Sequence, residues 1–420
     1  MNYIVIGLAY GDEGKGTIVD YLVRKHNVDL VVRFNGGCQA GHTVVTPDGR
    51  HHTFAQFGSG TFVPGCRTFL SKYMVFNPIS LETEEKKLRT VGVTDAFERL
   101  YVDENALVAT PYHAAMNRIR ELLRSNRHGS CGMGIGEVVQ DSLEYKNVIR
   151  VNDLRWSFSS RKLDHLRKLK LAQALMLIGD KQITDKIESE LSVLSDVSTI
   201  GMIREWYERV LQRINVVPSS WLDKELTKNV VFEGAQGVLL DQDYGFHPYI
   251  TWSNCTFDNA LTLIGSRPVT RIGVCRPYMT RHGAGPFVTE DSSLNHLADG
   301  DHNVYGDWQG NFRIGYFDTE AIRYAIRMVG GCDGIAMTHV DQFDPGRRVC
   351  YGYESIVLFN RDRFDRRSLS DRERETTSLF HTKPKYTTGI IDVWEFVRRH
   401  LDTNLLIASY GPTANEKVNA

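Results

Sequence analysis

Short apolar runs that stop at glycine-rich or polar loops recur along this 420-residue chain and limit the folds open to it. They are rich in β-branched residues and lie at 3–8, 28–34, 230–232, 272–275, 334–337 and 405–408. Continuous apolar runs of this length are typical of strands covered on both faces of an α/β sheet. Ligands of such sheets bind beyond the carboxyl ends of the strands, where these loops lie. The pattern predicts an α/β fold around a large central mixed, mostly parallel sheet.

Segments between these runs show apolar residues near helical spacing. Helices are predicted at 17–24, 111–124 and 389–400, and a charged loop at 361–385. Pro111 suits the first turn of its helix, because a missing N–H costs nothing there. The stretch 160–215 is rich in Leu, Lys, Glu and Arg, and we interpret it as a helical elaboration within a single domain spanning 1–420.

Charge and cysteine content exclude several classes of protein. Lys and Arg number 50 against 51 Asp and Glu, a balance that argues against wrapping nucleic acid or an anionic membrane. Neither a secretory signal nor an apolar run of about 18 residues is found. Seven cysteines without a CxxC pair indicate reduced thiols. We therefore predict a cytoplasmic protein that binds neither nucleic acid nor membranes.

The first loop reads GDEGKG at 11–16, between a predicted strand and a predicted helix. Its glycine amides and the helix N-terminus favour a phosphate, and Lys15 can reach a phosphate oxygen. The pattern GxxxxGK[ST] is not met, because Ala9 and Gly16 occupy its two ends. A carboxylate in such a loop indicates Mg²⁺ binding or proton transfer. Taken alone, GDEGKG also fits a surface turn.

A second glycine-rich loop, NGGCQAGHT at 35–43, follows the next apolar run. His42 within it can donate to a negatively charged oxygen or act as a general acid. A lone loop histidine is more often structural, but the position beside a second strand-end loop favours a functional role.

Together the two loops resemble the first two signatures of the adenylosuccinate synthetase family. Further matches follow in order: PYH at 111–113, SCGMGIG at 130–136, FEGAQG at 232–237, TRHGAGPF at 280–287, GYFD at 315–318, THVD at 338–341 and GP at 411–412. The chain is identified by this resemblance as a divergent member of the superfamily. The resemblance implies a carbon–nitrogen ligase in which GTP or ATP phosphorylates a purine 6-oxygen, and the amine of L-aspartate then displaces phosphate. It also implies Mg²⁺ and a cytoplasmic homodimer.

Residue roles follow from the same resemblance. Catalytic roles are implied for Asp12, Lys15, His42 and Gln236, with Asp12 taking the purine N1 proton. The triphosphate would be held by Gly11, Glu13, Gly14, Lys15, Gly16, Gly41, His42, Thr43, Asp341, Gly411 and Pro412. The purine monophosphate would be held by Asp12, Gln39, Ser130, Cys131, Gln236, Thr251 and His282. Gln309, Asn311 and Arg313 would hold the amino acid, and Asp12 and Gly41 the Mg²⁺. Asp341 favours guanine, whereas His339 replaces the usual lysine beside it.

Departures from the family pattern concentrate in the acceptor pocket. Gln39 replaces an asparagine, Ser130 and Cys131 replace threonines, and His282 replaces a small apolar residue. Threonine and tyrosine usually stand where Phe246 and His247 lie. The arginine lent by a partner subunit has no clear match, with Tyr145 or Lys146 nearest. The amino-acid loop at 306–314 retains one arginine, Arg313, so the aspartate carboxylates lack several expected charge-assisted hydrogen bonds.

Three functions remain open from the sequence. The favoured one converts IMP to adenylosuccinate. An alternative takes GMP or dGMP to a 2-amino succinylo product, as a viral branch of the family does, and would place the protein in a host cytoplasm. A third is a non-catalytic nucleotide-binding regulator, although Asp12, Lys15, His42 and Gln236 are all present.

Overall fold

The computed structural model describes residues 1–125, 128–145, 148–155, 159–298, 308, 310–355, 368–389 and 392–419. Its strands are β1 (Asn2–Gly7), β2 (Leu30–Arg33), β3 (His42–Val45), β4 (His51–Phe54), β5 (Arg67–Leu70), β6 (Val75–Phe76), β7 (Leu100–Asp103), β8 (Leu107–Val108), β9 (Asn215–Val217), β10 (Val230–Gly237), β11 (Thr270–Cys275), β12 (Tyr278–His282), β13 (Phe312–Asp318), β14 (Gly334–Met337), β15 (Val349–Tyr353), β16 (Pro384–Thr387), β17 (Leu405–Ser409) and β18 (Lys417–Asn419).

Helices surround these strands. They are α1 (Lys15–His26), α2 (Pro78–Thr90), α3 (Pro111–Leu123), α4 (Ile135–Glu144), α5 (Ser159–Ile178), α6 (Asp185–Ser195), α7 (Thr199–Leu211), α8 (Trp221–Glu225), α9 (Asp258–Ile264), α10 (Thr319–Met328), α11 (Leu369–Leu379) and α12 (Val393–Leu401). Short 3₁₀ helices lie at Val151–Arg155, Val238–Leu240, Ser292–Leu297, Val340–Gln342 and Ala414–Glu416.

Ten of the described strands form one sheet, in the order β18-β17-β14-β11-β1-β10-β2-β5-β7-β9. Neighbours in it run parallel except at the edge, where β18 is antiparallel to β17. A smaller sheet has the order β12-β13-β15-β16, and β3 and β4 form a hairpin. The predicted large, mostly parallel sheet is confirmed.

Both faces of the large sheet are covered, which explains the unbroken apolar runs. In β1, Ile4 and Ile6 belong to one buried cluster, whereas Tyr3 and Val5 belong to another on the opposite face. Because neighbouring strands are parallel, the loops that follow β1, β2, β10, β14 and β17 open at the same edge.

The predicted helical segment at 160–215 is confirmed as α5, α6 and α7. The predicted charged loop is wrong in part, because α11 and β16 lie within it, while 361–367 fall outside the described residues. In α11, Ser368 accepts from the amide of Asp371 and caps the helix, a local signal that the charge content obscured. No helix among the described residues is long and apolar enough to cross a membrane.

Candidate active site

A cavity of about 680 Å³ opens at the carboxyl edge of the large sheet. Most of the residues predicted from the sequence line it, although they come from distant parts of the chain. They are Gly11, Asp12, Gly14, Lys15, Gly16, Gln39, Gly41, His42, Thr43, Gln236, Thr251, His282, Asp341, Gly411 and Pro412. The sheet topology therefore brings the two N-terminal loops together with the loops after β10, β14 and β17.

Glu13 does not line this cavity, because its side chain turns into the protein. One carboxylate oxygen accepts from the amides of Ala9 and Gly11 at 3.0 and 2.9 Å, and the other lies 2.7 Å from Lys15 Nζ. The carboxylate thus braces the loop and positions Lys15, which is itself 3% exposed. In this orientation the Glu13 carboxylate is directed away from the cavity and would not oppose a phosphate bound there.

Three non-glycine residues of the cavity adopt left-handed backbone conformations. Asp12, Gln236 and His339 have φ values of 61°, 58° and 54°. Such conformations cost roughly 1–3 kcal/mol each and persist where the surrounding structure enforces them, often at functional sites. Gln236 lies at the end of β10, His339 lies two residues after β14, and Asp12 lies in the loop between β1 and α1, so all three are at the edge of the sheet where the cavity opens.

The approach of His42 to the phosphate loop explains Gly16. A Cβ on Gly16 would lie 2.9 Å from His42 Cβ and 3.0 Å from Ser59 Oγ. A serine or threonine, as in a standard P-loop, would push the β3 strand away. Gly16 is therefore the residue that allows β3 to deliver His42 to the loop.

His42 is held by Glu233, a partner that the sequence did not single out. His42 Nδ1 lies 2.6 Å from Glu233 Oε1, and Ser59 donates to both carboxylate oxygens. Burial raises the pKa of Glu233, but His42, Arg33 and Ser59 outweigh it and bring the pKa to about 2. Burial lowers the pKa of His42, and Glu233 opposes that fall. The ionised carboxylate fixes the Nδ1–H tautomer and turns Nε2 toward the cavity.

Asp12 is paired with His282 across the cavity. His282 Nδ1 lies 2.7 Å from Asp12 Oδ2. Burial acts to raise the pKa of Asp12, but His282, Arg276 and Lys15 lower it below the ordinary value. Asp12 is therefore an ionised carboxylate that can accept a proton or bind a cation.

Two glutamine side chains of the cavity wall carry unpaired oxygens. Gln39 and Gln236 each have a buried Oε1 without a hydrogen-bond partner among the described residues, and these oxygens face the backbone of Gly37 and Gly36. Because buried polar atoms are normally satisfied, the two amides have hydrogen-bonding capacity left for a ligand.

Asp341 and His339 lie at the other end of the cavity, near Arg276 and Lys417. Burial, with Arg276 and Lys417, lowers the pKa of His339 well below its ordinary value, so this residue is neutral where the family has a lysine. Lys417 Nζ donates to the carbonyls of Gly411 and Thr413 at 2.9 and 2.7 Å, and it thereby stabilises the loop at 411–413. No sequence motif pointed to Arg276 or Lys417.

Several predicted residues do not line the cavity. Ser130 and Cys131 are outside the lining, although the preceding His128 and Gly129 belong to it, and Ser130 Oγ donates to Asn117 Oδ1 at 2.7 Å. Arg313 is engaged by Glu290 and by the carbonyls of Gly283 and Gly285. Asn311 is also outside the lining, and Gln309 falls outside the described residues.

Arg281 contributes to the cavity as a structural residue. Its guanidinium is 1% exposed and donates to the carbonyls of Ala284, Pro286 and Tyr249 at 3.1, 2.9 and 3.3 Å. It also packs 4.3 Å from the ring centroid of Tyr10. These contacts fix the turn after β12 and leave it little capacity to bind a ligand.

The donor set around Asp12 fits Mg²⁺. This ion is typically held by one or two carboxylates together with phosphate oxygens and water. The described residues contain no group of three or more His, Cys, Asp or Glu that could form a complete protein cage. Asp12 and the carbonyl of Gly41 would therefore supply a minority of the ligands, with nucleotide phosphates completing the shell.

The comparisons with known proteins agree with this geometry. The family model for adenylosuccinate synthetase matches residues 4–397. The adenylosuccinate synthetase of Chlorobium chlorochromatii is 32% identical over 92% of this chain and 85% of its own length. That of Chlorobium phaeovibrioides is 30% identical over 99% and 96%.

The chain belongs to the adenylosuccinate synthetase family. It is therefore a carbon–nitrogen ligase of purine biosynthesis that uses Mg²⁺.

Two solved structures share the fold of this chain. The fully ligated adenylosuccinate synthetase of Plasmodium falciparum has a TM-score of 0.76 at 22% identity, covering 100% of this chain and 99% of that one. A cyanophage S-2L succinoaminodeoxyadenylate synthetase bound to dGMP and dATP has a TM-score of 0.62 at 15% identity, covering 100% and 95%.

Proposed function

We propose that this protein joins IMP and L-aspartate to form adenylosuccinate, with GTP as the phosphoryl donor and Mg²⁺ as the metal. The observation that carries this proposal is the convergence of Asp12, Lys15 and the His42–Glu233 pair on one cavity. Family membership supplies the reaction class.

The proposed reaction has two steps, and different residues act in them. Asp12 accepts the N1 proton as the purine 6-oxygen attacks the γ-phosphorus, and the nucleoside diphosphate leaves. Lys15, the loop amides and His42 stabilise the charge on the transferring group, since phosphoryl transfer relies on positioning and neutralisation. The amine nitrogen then attacks C6. The C6–O bond breaks, inorganic phosphate leaves with that oxygen, and the amine nitrogen loses a proton. Mg²⁺ supplies charge neutralisation at the phosphates when bound.

Substrate recognition is proposed from the cavity walls. Gln39 and Gln236 would bind the purine through their unpaired amides, and Thr251 and His282 would also contact the purine monophosphate. Asp341 would read the two donors of guanine, with Gly411 and Pro412 beside the base. The roles of Ser130, Cys131, Asn311 and Gln309 stay predictions.

We infer that residues 1–420 act as a single domain. Leu163 of α5 and Tyr207 of α7 share one hydrophobic cluster with Leu100 and Val102 of the large sheet. A homodimer follows from the family alone.

The test is a matrix of phosphate-release rates with IMP, GMP or dGMP, with GTP or ATP, and with or without L-aspartate. Release that requires IMP, GTP and aspartate together supports the proposal. Release that requires dGMP or GMP instead would assign the 2-amino product, and release without an acceptor would defeat the ligase assignment.

Asp12→Ala is the matching variant. We expect turnover to fall by at least about 10³-fold, because the proton acceptor is lost, while GTP binding is partly retained. Phosphate release and nucleotide binding measured on the same preparation separate these effects. Normal turnover by this variant would show that Asp12 is not the base.

A further inference from the structure

Arg276 lies at the carboxyl edge of the large sheet, directly after β11. In the sheet β11 lies between β1 and β14, so Arg276 comes between the phosphate loop that follows β1 and the loop at 338–341 that follows β14. Thr338 links these segments, because its amide donates to the Cys275 carbonyl at 2.9 Å and its hydroxyl to the Glu13 carbonyl at 2.6 Å. A ligand that spans the two loops therefore crosses the end of β11, where Arg276 lies.

The guanidinium of Arg276 lines the cavity and is only partly used by the protein. Nη1 donates to the hydroxyl of Tyr278 at 3.1 Å, and this hydroxyl donates in turn to Gln342 Oε1 at 2.7 Å. Nε and Nη2 make no hydrogen bond within the described ranges; Nε is buried, whereas Nη2 keeps exposed surface. These two nitrogens form the edge of the guanidinium that Arg313 uses to bind Glu290. The side chain is thus held in place while one pair of donors stays available.

The other lysine and arginine of the described lining are engaged by protein groups. Lys15 lies 2.7 Å from a carboxylate oxygen of Glu13. Arg281 donates to three backbone carbonyls and is 1% exposed. Arg276, in contrast, forms no ion pair within the part of the chain that the structure describes. It is therefore the cation of this lining that combines an unpaired charge with unused donors.

The charge of Arg276 acts along the cavity. At one end, burial raises the pKa of Asp12, while His282 and then Arg276 lower it. At the other end, burial and Arg276 lower the pKa of His339. A nucleoside triphosphate would bring several negative charges close to Asp12 and Asp341, which both line the cavity. Its phosphates need cations of the protein in addition to Mg²⁺.

The amino-acid substrate is a second source of negative charge, but Arg276 lies at the opposite end of β12 from its predicted loop. The resemblance assigns the amino acid to 306–314, and the following strand begins at Phe312, which pairs with His282 at the end of β12. Arg276 precedes the start of β12 at Tyr278, and the strand from Tyr278 to His282 spans roughly 13 Å. A phosphate is therefore the anion that this position favours.

We propose that Arg276 binds the phosphate chain of the nucleoside triphosphate through Nη2 and Nε. Lys15 and the amides of the phosphate loop hold one end of this chain, and Arg276 neutralises charge along it toward the base at Asp341. Because Tyr278 already fixes Nη1, little side-chain entropy is lost when the phosphate binds. This inference rests on the proposed function and deepens it, because it adds a residue to the donor end of that reaction.

Arg276→Met tests the assignment through binding of Mg²⁺–GDP, measured by calorimetry without IMP or aspartate. We expect Kd to rise roughly ten- to hundredfold, the size expected for a charge-assisted hydrogen bond. Binding of guanosine, which has no phosphate, should change less than about twofold. Arg276→Lys keeps the charge without the planar fork and should fall between the wild type and Arg276→Met.

Arg267→Met is the control for the loss of one positive charge. Arg267 is exposed at the other end of β11, and its Nη1 donates to the Ile264 carbonyl at 3.0 Å. Its removal should leave Kd for Mg²⁺–GDP within about twofold of the wild-type value, because it lies far from the carboxyl edge of the sheet.

Steady-state phosphate release assigns the anion. Arg276→Met should raise KM for GTP and leave KM for IMP and for aspartate unchanged, whereas a rise confined to aspartate would overturn the inference in favour of the amino acid. Unchanged Mg²⁺–GDP binding would also overturn it and leave the proposed function standing. Equal losses of guanosine and Mg²⁺–GDP binding would do the same, because they would indicate a displaced base loop. A wild type that binds neither Mg²⁺–GDP nor Mg²⁺–ADP would overturn the proposed function first.

Discussion

At the scale of single residues, Glu233 controls what His42 can do. The carboxylate is buried, ionised and 2.6 Å from Nδ1, so it fixes the ring orientation and opposes the fall in the pKa of His42 that burial causes. Neutral His42 could donate no proton from Nε2, because Nδ1 carries the only one. Glu233 is therefore a positioning residue that acts on phosphoryl transfer through His42.

Glu233→Gln should lower kcat by on the order of 10²-fold, because the amide no longer stabilises protonated His42. KM for GTP should change little, since Lys15 and the loop amides are untouched. Steady-state phosphate release separates the two constants. A rise in KM for GTP as large as the fall in kcat would indicate damage to the phosphate loop instead.

Lys417 predicts a pH dependence of stability. Burial lowers its pKa to about 8, below the value of an unfolded lysine. The folded state therefore binds the proton less well than the unfolded state does. This lowers the free energy of unfolding below pH 8, and the loss disappears as the pH rises from 8 toward 10. Relative to Lys417→Met, the wild type should gain about 2 kcal/mol in free energy of unfolding between pH 7 and 9.5. Urea unfolding of both proteins at the two pH values measures this difference, and an opposite sign would contradict it.

At the scale of elements, the sequence predicted the strands and their loops well but not the contacts between loops. GDEGKG and NGGCQAGHT identify two strand ends because glycine loops are local signals. Glu233 meeting His42 and Glu290 engaging Arg313 join residues that lie 191 and 23 positions apart in the chain. Such pairings are set by the sheet order, which no local pattern encodes.

Gly16→Ala tests the close approach of α1 and β3. A methyl group 2.9 Å from His42 Cβ would displace the hairpin, and we expect kcat to fall at least tenfold with the fold retained. Gly201→Ala is the control, because that helical glycine has open space around its Cβ position and should gain about 0.5–1 kcal/mol in stability. Equal effects of the two substitutions would refute the steric argument.

At the scale of the whole molecule, the helical segment and the large sheet share a core. Leu163 is fully buried in the cluster that also contains Leu100 and Val102. Sequence composition predicted the helices of this segment, but only the shared cluster indicates that they unfold with the sheet.

Leu163→Ala should reduce the free energy of unfolding by about 2–5 kcal/mol and lower the melting temperature in a single transition. Calorimetry with and without GTP distinguishes the outcomes, since bound nucleotide should shift the whole transition if the segment and sheet unfold together. Two separate transitions, with only one responsive to GTP, would show that 160–215 is an independent unit.

The position of β1 in the sheet has a consequence for synthesis on the ribosome. Its two neighbours, β10 and β11, end at residues 237 and 275, so β1 waits for more than 200 further residues before it pairs. At typical translation rates that interval is about 10–50 s. Throughout it the phosphate loop has no supporting sheet, so a nascent chain cannot bind nucleotide, and its apolar first strand is open to chaperones.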